Sequence, residues 1–244
     1  MTTSIRMTIA ALIFGAVASG PTAAQGVAAP VVQSGDSWTY RQTAETKAGF
    51  KEERQVYTVT RTTPTTLYLD VRQDGSAQAP RSVFSGNDWR RVRSVNGKET
   101  VVNQPFDFPL NDGKSWNTHY REDHPNAGHA WEDIATTSTA TGHETVQVGA
   151  GRFDTIKIEV EGKWTALVVA TSNVATTSQA ASGGAAIDSR VGTTAAHEAE
   201  GRIYRAYWYA PTVKRWVKSI EEYYSSNGER TERTTAELEA YSVR

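Results

Sequence analysis

Ile156-Lys157-Ile158-Glu159-Val160-Glu161 puts an apolar side chain at every even position and a charge at every odd one. Successive side chains on a strand point to opposite faces, so this stretch reads as a half-buried strand with one wet face. A helix would scatter Lys157, Glu159 and Glu161 around its circumference. Leu67-Tyr68-Leu69-Asp70-Val71-Arg72 repeats the pattern in the other phase, with its aliphatic residues on odd positions. The same Thr-rich, period-two texture marks 38–46, 54–62, 81–84, 89–95, 99–102, 115–120, 130–139, 144–148, 164–169, 201–209, 215–224 and 230–241. The last of these includes a run of helix formers, Thr234–Tyr241, but strand is the preferred reading.

The punctuation agrees. Asn96-Gly97 and Asn227-Gly228 each offer the two positive φ angles of a type I′ turn, and Asp74-Gly75 is a third turn candidate. Gly149-Ala150-Gly151 and Ala210-Pro211 separate further strands. The expected fold is therefore all-β: an antiparallel meander forming a curved sheet or partial barrel. Residues 170–199 are almost entirely Ala, Ser, Thr and Gly and show no period, so the expectation there is a long, mobile, low-complexity loop insertion, either a passive surface loop or a lid. Gly35-Asp36-Ser37-Trp38 and Gly113-Lys114-Ser115-Trp116 echo one another, each with Gly turning the chain and Trp opening a strand.

Residues 1–24 read as a signal peptide. Arg6 supplies the positive start, 7–17 the apolar run, and Thr22-Ala23-Ala24 the small residues before cleavage, placed between Ala24 and Gln25. The apolar run is too short to span a bilayer, and no later run reaches the necessary length. The remaining 25–244 read as a single all-β domain, periplasmic or secreted. That domain has neither Met nor Cys, which suits an oxidising compartment and excludes disulfides, thiolate metal sites and a lipid-modified Cys. Across 244 residues, 26 Lys+Arg stand against 27 Asp+Glu, a balance that argues against a dedicated nucleic-acid binder.

Three blocks carry a family resemblance: 106–116 (FDFPLNDGKSW), 148–158 (VGAGRFDTIKI) and Tyr207-Trp208-Tyr209-Ala210-Pro211 followed by Val217-Lys218. In this order they resemble the TapB-like group of exported bacterial β proteins. The resemblance implies an antiparallel β fold, a curved sheet or partial barrel; it implies no activity and no catalytic residues.

Chemistry-bearing clusters are few. His119, His124 and His129 lie close together with Glu122, Asp123, Glu132 and Asp133, a composition able to bind Zn²⁺. Their spacing of five puts successive imidazoles on opposite strand faces, and Pro125, Asn126 and Gly128 mark a loop, so no metal site and no cofactor is expected. Adjacent carboxylates such as Glu221/Glu222 also face opposite sides and make no local glycosidase pair. There is no Gly-x-Ser-x-Gly elbow and no phosphate loop. Trp89 with Arg91 and Arg93 on one strand face suits an anionic glycan, or simply a solvated edge. The densest aromatic group is Tyr204, Tyr207, Trp208, Tyr209 and Trp216; alternation gives Tyr207 and Tyr209 one face and Tyr204 and Trp208 the other.

The expected function is a non-catalytic binding module for a small amphiphile or glycan of the cell envelope, its ligand held by Tyr207, Trp208, Tyr209, Trp216, Trp89 and Arg91. The alternative is an envelope structural or assembly factor acting through protein contacts; a hydrolase comes third.

Overall fold

The computed structural model describes residues 26–181 and 184–244, with 171–192 described by backbone alone. The expected leader lies outside the described residues. Fourteen strands follow in order: β1 (Ser37–Thr46), β2 (Gly49–Thr62), β3 (Thr66–Gln73), β4 (Arg81–Gly86), β5 (Arg91–Val95), β6 (Lys98–Asn103), β7 (Ser115–Asn126), β8 (His129–Val148), β9 (Gly151–Val168), β10 (Thr171–Ala181), β11 (Gly184–Thr194), β12 (His197–Ala210), β13 (Arg215–Tyr224) and β14 (Arg230–Ser242). No described helix is long and apolar enough to cross a membrane.

Ten strands form one antiparallel sheet in the order β4-β3-β2-β1-β14-β13-β12-β9-β8-β7, while β5-β6 and β10-β11 are separate hairpins. Laid flat, ten strands about 4.8 Å apart would spread roughly 43 Å from edge to edge. Yet the short β5–β6 hairpin reaches both edges. On one side the Gly86 N–H donates to Arg90 O at 2.9 Å, turning β4 into β5. On the other, Arg93 grips Glu122 with both guanidinium nitrogens, Asn96 Nδ2 donates to Arg121 O at 3.2 Å, and the Asp123 N–H donates to Asn96 Oδ1 at 2.9 Å. The sheet is therefore curled into a C, and the hairpin occupies its gap. This is the curved, incompletely closed all-β meander expected from the alternation.

The phase of that alternation sets the inside of the C. Ile158 pairs with Tyr207 and with Ala140, and all three are buried. Lys157 and Glu159, one residue to either side, pair with each other on the outer face at 2.7 Å. One end of the C is plugged by the chain itself. Trp89, from the β4–β5 link, meets Trp38 edge-on at 5.3 Å; Phe106, from the β6–β7 link, lies 4.9 Å from Tyr209. Three buried indole N–H groups find carbonyls: Trp38 donates to Val213 O, Trp89 to Lys214 O and Trp116 to Gln104 O.

Two local readings need correction. The 170–199 insertion is present, but it is the β10–β11 hairpin rather than an irregular loop. Continuing the Val168↔His197 register of β9 and β12 residue by residue leads to Thr171↔Thr194, so one pairing phase runs through both hairpins. Thr, Val and Ser suit a strand backbone even where the segment lacks an apolar period, and a paired neighbour satisfies its amides without a core. Trp89 does not open a strand alongside Arg91. It sits at φ 66° in the turn before β5, where Asp88 Oδ1 accepts from the Arg90 N–H. The turn chemistry of Asn87-Asp88 outweighs the strand preference of the indole.

Candidate functional site

The residues expected to hold a ligand divide into three groups. Tyr207, Tyr209, Trp216 and Trp89 face the interior and pack as core: Tyr207 lies 5.8 Å and Trp89 5.9 Å from Trp216, and Phe106 covers Tyr209. Burial pushes the Tyr207 and Tyr209 phenols well above their ordinary range, and Asn103 Nδ2 donates to the Tyr207 hydroxyl at 3.0 Å. Trp208 lies on the opposite, outer face. Its indole donates to Glu144, and the ammonium groups of Lys157 and Lys218 each stand 5.6 Å from the ring. Trp208 and Trp216 therefore do not share a wall. Arg91 is exposed at the start of β5.

Arg215 completes the interior cluster. It is buried, and its guanidinium carbon lies between 4.2 and 5.4 Å from the rings of Trp216, Tyr57, Trp89, Tyr40 and Trp38. The ring faces stabilise the cation where no carboxylate reaches it among the described residues. Arg205, also buried, is held instead by Glu221 at 2.9 Å and the Tyr223 hydroxyl at 3.0 Å.

The three neighbouring His residues do not converge. His119 faces Asp133 at 3.1 Å, His129 lies 3.6 Å from Glu132, and His124 sits at φ 51° in the register irregularity near the end of β7. Among the described residues no three His, Asp or Glu side chains come together in metal-binding geometry.

A well-formed cleft lies elsewhere. A cavity of about 590 Å³ opens on the outer face where β9 and β12 meet the end of β13 and the 225–229 turn. Two glycines shape it. A Cβ on Gly201 would strike Tyr224 O and the Trp164 indole, and one on Gly162 would strike Ala135 O. The Trp164 indole N–H donates to Tyr224 O at 3.1 Å and fixes the end of β13 over the bare backbone of Gly201. Arg202 stacks on the Tyr224 ring at 4.1 Å, and the Tyr224 hydroxyl donates to Glu222 at 2.6 Å. That bond to Glu222 pushes the Tyr224 phenol up. Lys163, Glu161, Glu200 and Ser225 supply donors and acceptors around the rim. A planar ring with a guanidinium over it, ringed by both signs of charge and a hydroxyl, is suited to a small polar ring compound.

Sequence reasoning missed this cleft because it has no local motif. Arg202 and Tyr224 meet only through the Ile203↔Tyr223 register and the bend over Gly201. Isolated Gly162 and Gly201 within strand patterns were the available signal for close backbone approach.

Every described carboxyl with a displaced ionisation is displaced downward. Lys51 holds Glu53 low, Arg93 does so for Glu122 and Lys157 for Glu159. For Glu237 burial pushes upward, but Lys218 and Arg41 together outweigh it. These groups are held ionised, the opposite of what a general acid needs.

No family model and no curated protein matches the chain. Among solved structures, a lipoprotein candidate from Parabacteroides distasonis is 13% identical with a TM-score of 0.45, its alignment covering 89% of this chain and 100% of its own. An exported-protein candidate with a YmcC-like fold from Bacteroides fragilis is 16% identical with a TM-score of 0.44, covering the same 89% and 100%.

Proposed function

We propose that the protein is an exported, non-catalytic binding module that takes a small glycan of the cell envelope in the cleft beside Tyr224. The observation that carries this reading is the stacked Arg202–Tyr224 pair over a glycine floor in a cavity of about 590 Å³. A glycan fits this cleft better than an amphiphile does, because the rim is charged and the aromatic interior that would receive an alkyl chain is filled by Trp89, Trp216 and Phe106. The leader read over residues 1–24 and the resemblance to the TapB-like exported proteins support the envelope as its place of action.

Native mass spectrometry of protein purified from the periplasm, followed by calorimetric titration with chitobiose and, separately, laurate, tests the proposal. A co-purified or titratable sugar supports it, and Tyr224→Ala then weakens binding at least about tenfold, or about 1.4 kcal/mol. Laurate binding unaffected by Tyr224→Ala, or a clean apo mass with neither probe binding, overturns it.

A further inference from the structure

Across the middle of the sheet, charges on the outer face are paired. Lys157 holds Glu159, two residues along the same strand, at 2.7 Å; Arg41 meets Glu237 at 2.8 Å and Lys218 meets it at 3.0 Å. The pattern breaks at the Tyr224 cleft. There Arg202 of β12 stands directly opposite Lys163 of β9, which puts two cations on one face with their Cβ atoms about 5 Å apart. Like charges so placed repel each other and destabilise a sheet. No neighbour relieves them: on the β8 side Lys163 meets Ala135, and on the β13 side Arg202 meets the Tyr224 ring. Glu161 and Glu200 each lie two residues from one of these cations on the same face, the spacing at which Glu159 captures Lys157. Yet Lys163, Arg202, Glu161 and Glu200, all lining the cleft, form no ion pair among the described residues.

The register sets these four charges in a row. The cations sit side by side in the middle. One carboxylate lies toward each end, Glu161 opposite Tyr204 and Glu200 opposite Thr165. With one face on the Tyr224 ring, the Arg202 guanidinium keeps its edge N–H groups for a planar, two-oxygen acceptor, and Lys163 adds a second positive charge beside it. The outer carboxylates accept hydrogen bonds from hydroxyls. The row therefore matches a ligand with an anionic group at its centre and hydroxyl donors to either side, the chemistry of a sugar acid.

We propose that the cleft selects an acidic glycan of the uronic-acid type, its carboxylate between Arg202 and Lys163 and its hydroxyls donating to Glu161 and Glu200. This inference rests on the glycan reading of the Tyr224 cleft and names the class of sugar.

Calorimetric titration with digalacturonate and with galactobiose tests it, since the two differ only in carrying carboxylates or hydroxymethyl groups. Digalacturonate is expected to bind at least about tenfold more tightly at low salt, and added salt narrows the gap. Lys163→Gln lowers digalacturonate affinity at least about fivefold and leaves galactobiose within about twofold. Because it also removes the repulsion with Arg202, its melting temperature stays equal or rises, which separates lost binding from lost folding. Galactobiose binding as tightly as digalacturonate, or chitobiose binding where digalacturonate does not, overturns this inference and leaves the glycan reading standing. Failure of all three sugars overturns both. A preference for digalacturonate that survives Lys163→Gln overturns the placement of the carboxylate between the two cations.

Discussion

Asp36 shows how much can hang on one side chain. Its carboxylate is completely buried at the entry to β1, where it accepts from Lys214 Nζ at 3.0 Å, the Arg244 N–H at 3.0 Å and the Gln33 N–H at 2.9 Å. It thereby joins the start of the sheet, the turn before β13 and the C-terminal segment. Removing it leaves a nearly buried ammonium with no counter-charge and only the Arg244 carbonyl to donate to, so Asp36→Ala is expected to cost about 3 kcal/mol in urea unfolding. Gly201 acts through the absence of a side chain. Gly201→Ala pushes Tyr224 O and Trp164 off their positions and should cost about 1–3 kcal/mol. Gly97→Ala is the control: open space surrounds that residue, so its cost of about 1 kcal/mol comes from the positive φ alone.

Among the elements, the contact between β5 and β7 is the one that senses acid. Arg93 lowers the Glu122 ionisation, so the pair contributes stability that is full above the ordinary carboxyl value of about 4.3 and fades as the pH falls through the lower folded value. Glu122→Gln should therefore cost about 0.5–1 kcal/mol at neutral pH and progressively less as acid protonates Glu122, checked by denaturation across the acid range. Element identity was legible wherever alternation was strict: 156–161 and 67–72 lie within β9 and β3, and the equivocal 234–241 lies within β14. It was less legible where long-range pairing decides. The 130–139 and 144–148 candidates are one strand, β8, bent at Gly142, because β9 pairs along its whole length. Asn96-Gly97 makes the expected type I′ turn, but at Asn227-Gly228 only the glycine has positive φ, and the loop closes through Ser225 and Glu229. The aromatic positions were visible in sequence, and so were the two faces of β12. Which of those faces would be filled by Trp89 and Phe106 was not, since both rings arrive from links distant in the chain.

At the level of the whole molecule, the β10–β11 hairpin pairs only with itself, whereas β9 and β12 are each held on both sides by the large sheet. Replacing 170–195 with an Asn-Gly turn should leave the melting temperature within a few degrees, measured by circular dichroism. A large loss would mean that the insertion supports the sheet.

The placement of β14 beside β1 has a consequence for how the chain acquires its shape. Asp36 and Arg244, bonded in the finished protein, stand 208 positions apart. The two halves of the C meet along that junction, so it cannot close until β14 has emerged from the machinery that makes or threads the chain. A nascent chain of this design carries an unfinished seam through its middle and stays slack until its final strand docks, which makes for late, slow, cooperative closure.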